Sequence, residues 1–225
     1  MALAEYGAIW DVDGTLVDTA ELHFDAWKIA CEELGRPFTR ADFAATFGRR
    51  NPEIMKVLFG DRFSPAEVDA IGVHKEELYR EAALKKGVTL LPGVRKLLEG
   101  LRAAGFRQAI GSSAPRENVD LILSLTDTAG FFTGISAMED TQRGKPDPQV
   151  FLVAAEHIGV APVRCVVFED AVAGIQAARA GGMRSIAVTF VGHHPEAKLR
   201  EAGADRVVRT LAELDAAEVG KLVEN

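Results

Sequence analysis

The sequence predicts an α/β fold, a doubly wound Rossmann-like parallel sheet core carrying an inserted all-helical cap domain. Three observations carry that expectation. Short apolar runs alternate with helical patterns through the second half of the chain. A long helical stretch separates the first such run from the others. The 225 residues accommodate one α/β core and a smaller insert, with no sign of a third domain.

In chain order, the first strand is expected over residues 8–12. Asp18-x-x-Glu21 then reads as a capping box opening a helix that passes through Trp27 to Glu33 and stops at Gly35-Arg36-Pro37. Asn51-Pro52 and Ser64-Pro65-x-Glu67 mark two further helix starts, each with proline at the first helical position. Residues 87–92 return the chain to the core, and Pro92-Gly93 opens a helix ending near Gly105. Strands are expected over 106–111, 134–137, 164–168 and 185–189, with an edge strand over 204–208. Residues 1–17 and 88–225 are thus assigned to the core and 18–87 to the cap. No internal repeat is present.

With 48% hydrophobic and 26% charged residues the chain has the usage of a soluble globular protein. A net charge of -7 argues against a nucleic-acid partner, so any anionic ligand must be met by local cations. The segment Met1 to Gly7 is too short and polar for a signal peptide, and no apolar run approaches membrane-spanning length. A cytoplasmic location and no membrane partner are expected; no feature specifies an oligomeric state. Cys31 falls in a helical pattern and Cys165 in an apolar strand, where buried inert thiols are expected.

The most telling run is Ala8-Ile9-Trp10-Asp11-Val12-Asp13-Gly14-Thr15, in which an apolar strand ends in two carboxylates spaced two apart. A carboxylate is a poor base toward water but a competent nucleophile toward phosphorus once a cation screens the repulsion. Asp11 is therefore the candidate nucleophile and Asp13 the candidate proton carrier of phosphoryl transfer through an aspartyl-phosphate. Asp-Gly by itself is also an ordinary hairpin turn. The other strand ends decide the matter. Ala109-Ile110-Gly111 leads into Ser112, Gly144-Lys145-Pro146 supplies a cation, and Cys165-Val166-Val167-Phe168 leads into Glu169-Asp170. In a parallel sheet, ligands sit beyond the carboxyl ends of the strands, so these groups are expected to converge.

This set resembles the haloacid dehalogenase superfamily, in its phosphatase and phosphomutase branch, from Ala8 to about Val188. Asp11, Asp13 and Thr15 stand at its first motif, Ser112 at its second, Lys145 at its third and Glu169-Asp170 at its fourth. Similarity is greatest to the β-phosphoglucomutase-like group, through Asp18-Thr19-Ala20-Glu21, His23, Trp27-Lys28 and the run Ala173-Gly174-Ile175-Gln176-Ala177 after the fourth motif. Helical caps at this position are also a property of that superfamily.

The expected roles follow. Asp13 protonates the leaving oxygen and then deprotonates the attacking water, and crowding by Asp11, Glu169 and Asp170 is expected to favour its protonated form. A phosphate dianion cannot approach four carboxyl groups uncompensated, so Mg2+ is the expected cofactor, with Asp11, Asp170 and the main-chain carbonyl of Asp13 as ligands. Glu169 either binds the ion or hydrogen-bonds Lys145. Lys145 neutralises Asp11 and a phosphoryl oxygen together, while Ser112 and nearby amides hold another oxygen. His23, the loop Gly48-Arg49-Arg50-Asn51, Ser113 and Arg116 are the candidates for reading the rest of the substrate. Trp27 belongs with the cap core, Gly174 with close packing, and His193-His194-Pro195 with a solvated loop.

Two departures from the mutases matter. This chain has Phe47 where they carry a cap lysine before the glycine, and Ala114-Pro115-Arg116 where they carry Ser-Lys-Asn after the second motif. The expected activity is therefore a magnesium-dependent phosphatase acting on a small phosphorylated metabolite, with sugar phosphates among the candidates. A sugar phosphomutase is the alternative, and a nonenzymatic phosphate-binding module is the rival from another class. Dehalogenation needs neither Asp13 as acid nor a metal pair.

Overall fold

The structure, a computed structural model, describes residues 6–224, so the reading of the amino-terminal segment lies, through residue 5, outside the described residues. Strand β1 (Gly7–Trp10) is followed by helices α1 (Ala20–Glu33), α2 (Arg40–Thr46), α3 (Asn51–Phe59), α4 (Pro65–Lys86) and α5 (Val94–Ala103) before the next strand. Then come β2 (Arg107–Gly111), α6 (Arg116–Leu125), β3 (Gly134–Ser136) and α7 (Gln149–Ile158). The chain ends with β4 (Cys165–Glu169), α8 (Val172–Ala180), β5 (Arg184–Val188), α9 (Glu196–Ala202), β6 (Arg206–Val208) and α10 (Ala216–Glu224).

The six strands form one sheet in the order β3-β2-β1-β4-β5-β6, and every neighbouring pair is parallel. The chain leaves β1 toward β2 and β3 on one side, then returns to β4 and builds outward on the other. The carboxyl ends of β1 and β4 therefore border the crevice where the strand order reverses. β1 and β4 are buried throughout, so their apolar side chains serve both faces of the sheet, as a doubly covered parallel sheet demands. Trp10 stacks on Phe168 with ring centroids 4.1 Å apart, on the face covered by Leu97, Leu98 and Leu101 of α5. On the other face Ile9, Ala109 and Val167 pack with Phe151 and Ala154 of α7.

Helices α1 to α4 hold an apolar cluster of their own, built from Phe24, Trp27, Cys31, Phe38, Phe43, Ile54 and Met55. Two chain segments lead into and out of them side by side. Val17 bridges Leu90, and the Leu91 amide donates to the Leu16 carbonyl at 2.8 Å. Among the described residues, no helix is long and apolar enough to cross a membrane.

Three expectations about local structure are corrected. The capping box at Asp18 does not form: Thr19 is the N-cap, its hydroxyl donates to Asp13, and Glu21 is held by Arg40 through two bonds of 2.6 and 2.7 Å. Helix α2 was not expected; Thr39 caps it with a full capping box to Asp42. His193 is not in a solvated loop, since its ring packs against Phe47 and Phe43 at 4.5 and 5.8 Å. Ser64 and Glu67 do form their capping box at the start of α4. Both cysteines are free and buried, and burial raises their thiols to about 11 for Cys31 and about 12 for Cys165.

Candidate active site

Asp11 follows β1 directly, and its amide donates to the Phe168 carbonyl at 3.0 Å, so the end of β1 is pinned to β4. That register brings Asp11 beside Glu169 and Asp170 at the end of β4. One carboxylate oxygen from each of the three lies within 4.8 Å of the others, and all three residues are buried. Lys145 enters from the turn before α7 and donates at 2.6 Å to both Asp11 Oδ1 and Glu169 Oε1. The residue is 5% exposed, and its ammonium is held in the charged form, since the pull of Asp11 and Glu169 outweighs the cost of burial.

One lysine cannot neutralise three buried carboxylates. Burial pushes Asp11 up to about 8 even though Lys145 pulls it down, with Glu169 adding to the rise. Burial likewise raises Asp170 well above the usual carboxylate range, and Glu169 and Asp11 push the same way. Asp170 Oδ2 is buried without a hydrogen-bond partner. Gly14, at φ +89°, leaves this carboxylate its space, because a Cβ there would stand 2.2 Å from Asp170 Oδ2. An oxygen-rich cluster with an orphaned carboxylate oxygen fits a hard divalent cation. Glu169 hydrogen-bonds Lys145 through Oε1 and accepts from the Ala171 amide at 2.6 Å through Oε2. Gly174 lets α8 approach this carboxylate closely, because a Cβ there would overlap Glu169.

Asp13 stands apart from that cluster. Its Oδ1 accepts from the Thr19 hydroxyl, from Tyr79 at 3.4 Å, and lies 3.2 Å from His23 Nε2. Burial alone would raise Asp13, but the His23 ring, Thr19 and the Lys75 ammonium outweigh it and hold Asp13 at about 2. This corrects the expectation that crowding would keep Asp13 protonated. The nearest influences come from α1 and α4, not from the strand ends. His23 stacks on Tyr79 with ring centroids 4.1 Å apart, and its Nδ1 lies 2.8 Å from Lys75 Nζ.

Ser112, Ser113, Ala114 and Pro115 form the wall after β2, and the Ser112 hydroxyl accepts from the Ala114 amide at 3.1 Å. Facing them are His23, Trp27, Phe47, Gly48, Arg49 and Asn51, so the cavity lies between the strand ends and the helical unit. Two candidates point elsewhere. Arg50 crosses to the loop before Lys145, donating to the Thr141 carbonyl at 3.0 Å and to its hydroxyl. Arg116 pairs with Asp120 at 2.9 Å on an exposed face. Neither lines the cavity.

Lys75, Glu76, Tyr79 and Asn118 were not singled out from the sequence, and Thr19 entered only as part of the resemblance. Lys75 and Glu76 are 2% and 4% exposed, and Glu76 is kept ionised because Lys75, His23 and Asn51 outweigh its burial. A helical signal existed: Gly72, Lys75, Glu76, Tyr79 and Ala83 are the buried residues of α4 and recur at the spacing of one face. Charged residues on that face hid it.

A β-phosphoglucomutase of Bacillus subtilis is 33% identical over 212 residues, spanning 92% of this chain and 90% of that one. A phosphorylated carbohydrates phosphatase of Thermotoga maritima is 30% identical over 207 residues, spanning 89% and 93%. The crystal structure of CbbY from Rhodobacter sphaeroides, a variant in complex with xylulose-(1,5)bisphosphate, superposes with a TM-score of 0.83 at 26% identity, covering 93% of this chain and 96% of that chain. A model of haloacid dehalogenase-like hydrolases matches residues 7–182, and with the strand-end set described above the chain belongs to that family.

Proposed function

We propose that this chain is a magnesium-dependent phosphatase that hydrolyses a small sugar phosphate through an aspartyl-phosphate on Asp11. The observation that carries the reading is the buried Asp11, Glu169 and Asp170 cluster bridged by Lys145, with one Asp170 oxygen unpartnered. Relatives named as acting on phosphorylated sugars support the substrate class. Residues 18–87 act as a cap over a core made of residues 1–17 and 88–225.

Asp11, Asp170 and the main-chain carbonyl of Asp13 would hold Mg2+, which when bound supplies the positive charge that lets a phosphate dianion enter and polarises its oxygens. Asp11 attacks phosphorus in line with the leaving oxygen, forming one P–O bond as the ester bond breaks. Lys145 offsets charge on Asp11 and the transferring group, and Ser112 with its neighbouring amides receives another phosphoryl oxygen. The incoming dianion opposes the ionisation of Asp13, so substrate entry loads Asp13 with the proton it gives to the sugar oxygen. Asp13 then takes a proton from the water that attacks the phosphoaspartate, releasing inorganic phosphate and restoring Asp11.

Hydrolysis is favoured over mutase chemistry because a mutase must grip a second phosphate on the cap side. Phe47, Ala114 and Pro115 line the cavity there, Arg50 and Arg116 face away, and Lys75 is committed to Glu76 at 3.0 Å. Among the described residues, Arg49 is the cation left on that wall. Phosphorus NMR of the protein with Mg2+, β-glucose 1-phosphate and a trace of the 1,6-bisphosphate tests the choice. Inorganic phosphate is expected; predominant glucose 6-phosphate would establish the mutase instead. A parallel screen of sugar phosphates for phosphate release identifies the substrate, and release from none of them would refute the substrate class.

A further inference from the structure

The hydrogen-bonded groups behind Asp13 continue past the helical unit into the core. Glu76 accepts from three elements at once: Lys75 on its own helix at 3.0 Å, Asn51 of α3 at 2.8 Å, and Asn118 of α6 at 2.6 Å. Asn118 is 2% exposed and lies in the first turn of α6, just after the loop that carries Ser112 and Ser113. Arg80 donates to Asn118 Oδ1 at 3.0 Å, which directs the amide NH2 toward Glu76. A protonated lysine has only donors, so the contact of Lys75 with His23 Nδ1 makes that nitrogen the acceptor and leaves the ring proton on Nε2, facing Asp13. A carboxylate enclosed this fully between two units is costly wherever one of its donors is lost.

We propose that Glu76 is a positioning residue: docking of the helical unit onto α6 through Glu76 and Asn118 sets Lys75, and through it the His23 ring, against Asp13. Proton delivery to the leaving oxygen is then aligned only when the two units are seated. With Glu76 unpaired or displaced, Lys75 loses its carboxylate partner beside the imidazole and keeps the weaker hold of the Trp27 and Tyr79 ring faces, 5.5 and 5.6 Å from its ammonium. This role rests on the phosphatase reading given above.

The test uses Glu76→Gln, Asn118→Asp and the double variant, assayed with Mg2+ on fructose 1-phosphate and on p-nitrophenyl phosphate. A sugar alkoxide leaves poorly without a proton, whereas nitrophenolate leaves readily, and kcat/KM reports the steps up to phosphoenzyme formation. Each single variant is expected to lose about tenfold or more in kcat/KM on the sugar ester and far less on the aryl ester. In Glu76→Gln two amide NH2 groups oppose one another, and in Asn118→Asp two carboxylates do. The double variant pairs an amide with a carboxylate again, keeps an oxygen for Lys75 and Asn51, and offers Arg80 a carboxylate. It should return to within about threefold of the wild type, a coupling that independent sites do not show.

Equal losses on both esters, or a double variant no better than the product of the singles, would overturn the positioning role. If circular dichroism finds Asn118→Asp unfolded, Asn118→Ala removes the donor to Glu76 without setting a second carboxylate against it and should show the same ester-dependent loss; equal loss on both esters would count against the role just as decisively. A wild-type chain inactive on both esters would overturn the phosphatase reading, and this role with it.

Discussion

The two carboxylates at the start of the chain sit two residues apart and live in different environments. Asp11 is drawn into the buried cluster with Lys145, while Asp13 turns to Thr19, His23 and Tyr79. Strand-end placement was legible in the sequence for Asp11, Ser112, Glu169 and Asp170, because an apolar run that stops at a polar group marks the carboxyl edge of a parallel sheet, whereas Lys145 was legible from the Gly-Lys-Pro turn that carries it. The protonation of Asp13 was not legible, since its partners come from helices that no local pattern places beside it. Asp11→Asn keeps the side chain's size but removes its nucleophilic charge. Phosphate release is expected to fall by several orders of magnitude with an unchanged circular dichroism spectrum, given how slowly phosphate monoesters hydrolyse unaided. Substantial turnover by the folded variant, with deamidation excluded by mass spectrometry, would rule out a phosphoaspartate at this position. Gly14→Ala strikes the site from another direction. Its Cβ would meet Asp170 Oδ2 at 2.2 Å and its φ of +89° disfavours any side chain, so Asp170 must move. The magnesium concentration giving half-maximal activity should rise by about tenfold or more in a titration after chelation. An unchanged requirement would place the ion elsewhere.

At the scale of elements, the six strands were readable to within two residues because parallel core strands are short, apolar and flanked by turns. The helical unit was readable only where its start signals were strong. Ser64 and Glu67 cap α4 as their spacing implies, whereas the Asp18 signal failed because Thr19 and Glu21 are engaged by Asp13 and Arg40. Helix α2 is seven residues long, too short for a periodic pattern, and its start depends on Thr39 with Asp42 at the third helical position. Asp42 is a weaker sequence signal than the Glu or Gln usual in a capping box. It serves here because Arg36 also binds it at 2.9 Å, and with the Thr39 hydroxyl holds its carboxyl at about 2. Thr39→Ala removes one side of the box and should cost about 1 kcal/mol in chemical denaturation. The catalytic constants should stay near those of the wild type, because the box lies on an exposed edge away from the cavity. A change in kcat without a change in stability would contradict a purely capping role.

Across the whole molecule, the cavity lies where two units face each other, and the polar groups between them divide into those that line it and those that hold the units together. The sequence presented Arg49 and Arg50 as one recognition pair. The structure separates them. Arg49 lines the cavity, and Arg50 spans from the start of α3 to Thr141, on the loop that leads to Lys145. Gly144 sits so close to Arg50 and Glu53 that a Cβ would stand 2.7 Å from Glu53 Oε1, so this edge of the docked interface is tight. Removing a charged donor from a contact of this kind costs about 1.5–3 kcal/mol, equivalent to roughly tenfold or more in a docking equilibrium. Arg50→Ala should therefore lower kcat/KM by about tenfold on every substrate, since seating precedes all productive turnover. Arg49→Ala should lower it selectively, most for substrates with an anionic or strongly polar group far from the scissile phosphate. A panel of sugar phosphates differing only in that distal group separates the outcomes. A uniform loss in Arg49→Ala would make Arg49 a second docking contact, and a selective loss in Arg50→Ala would mean that its guanidinium reaches the ligand once substrate is bound.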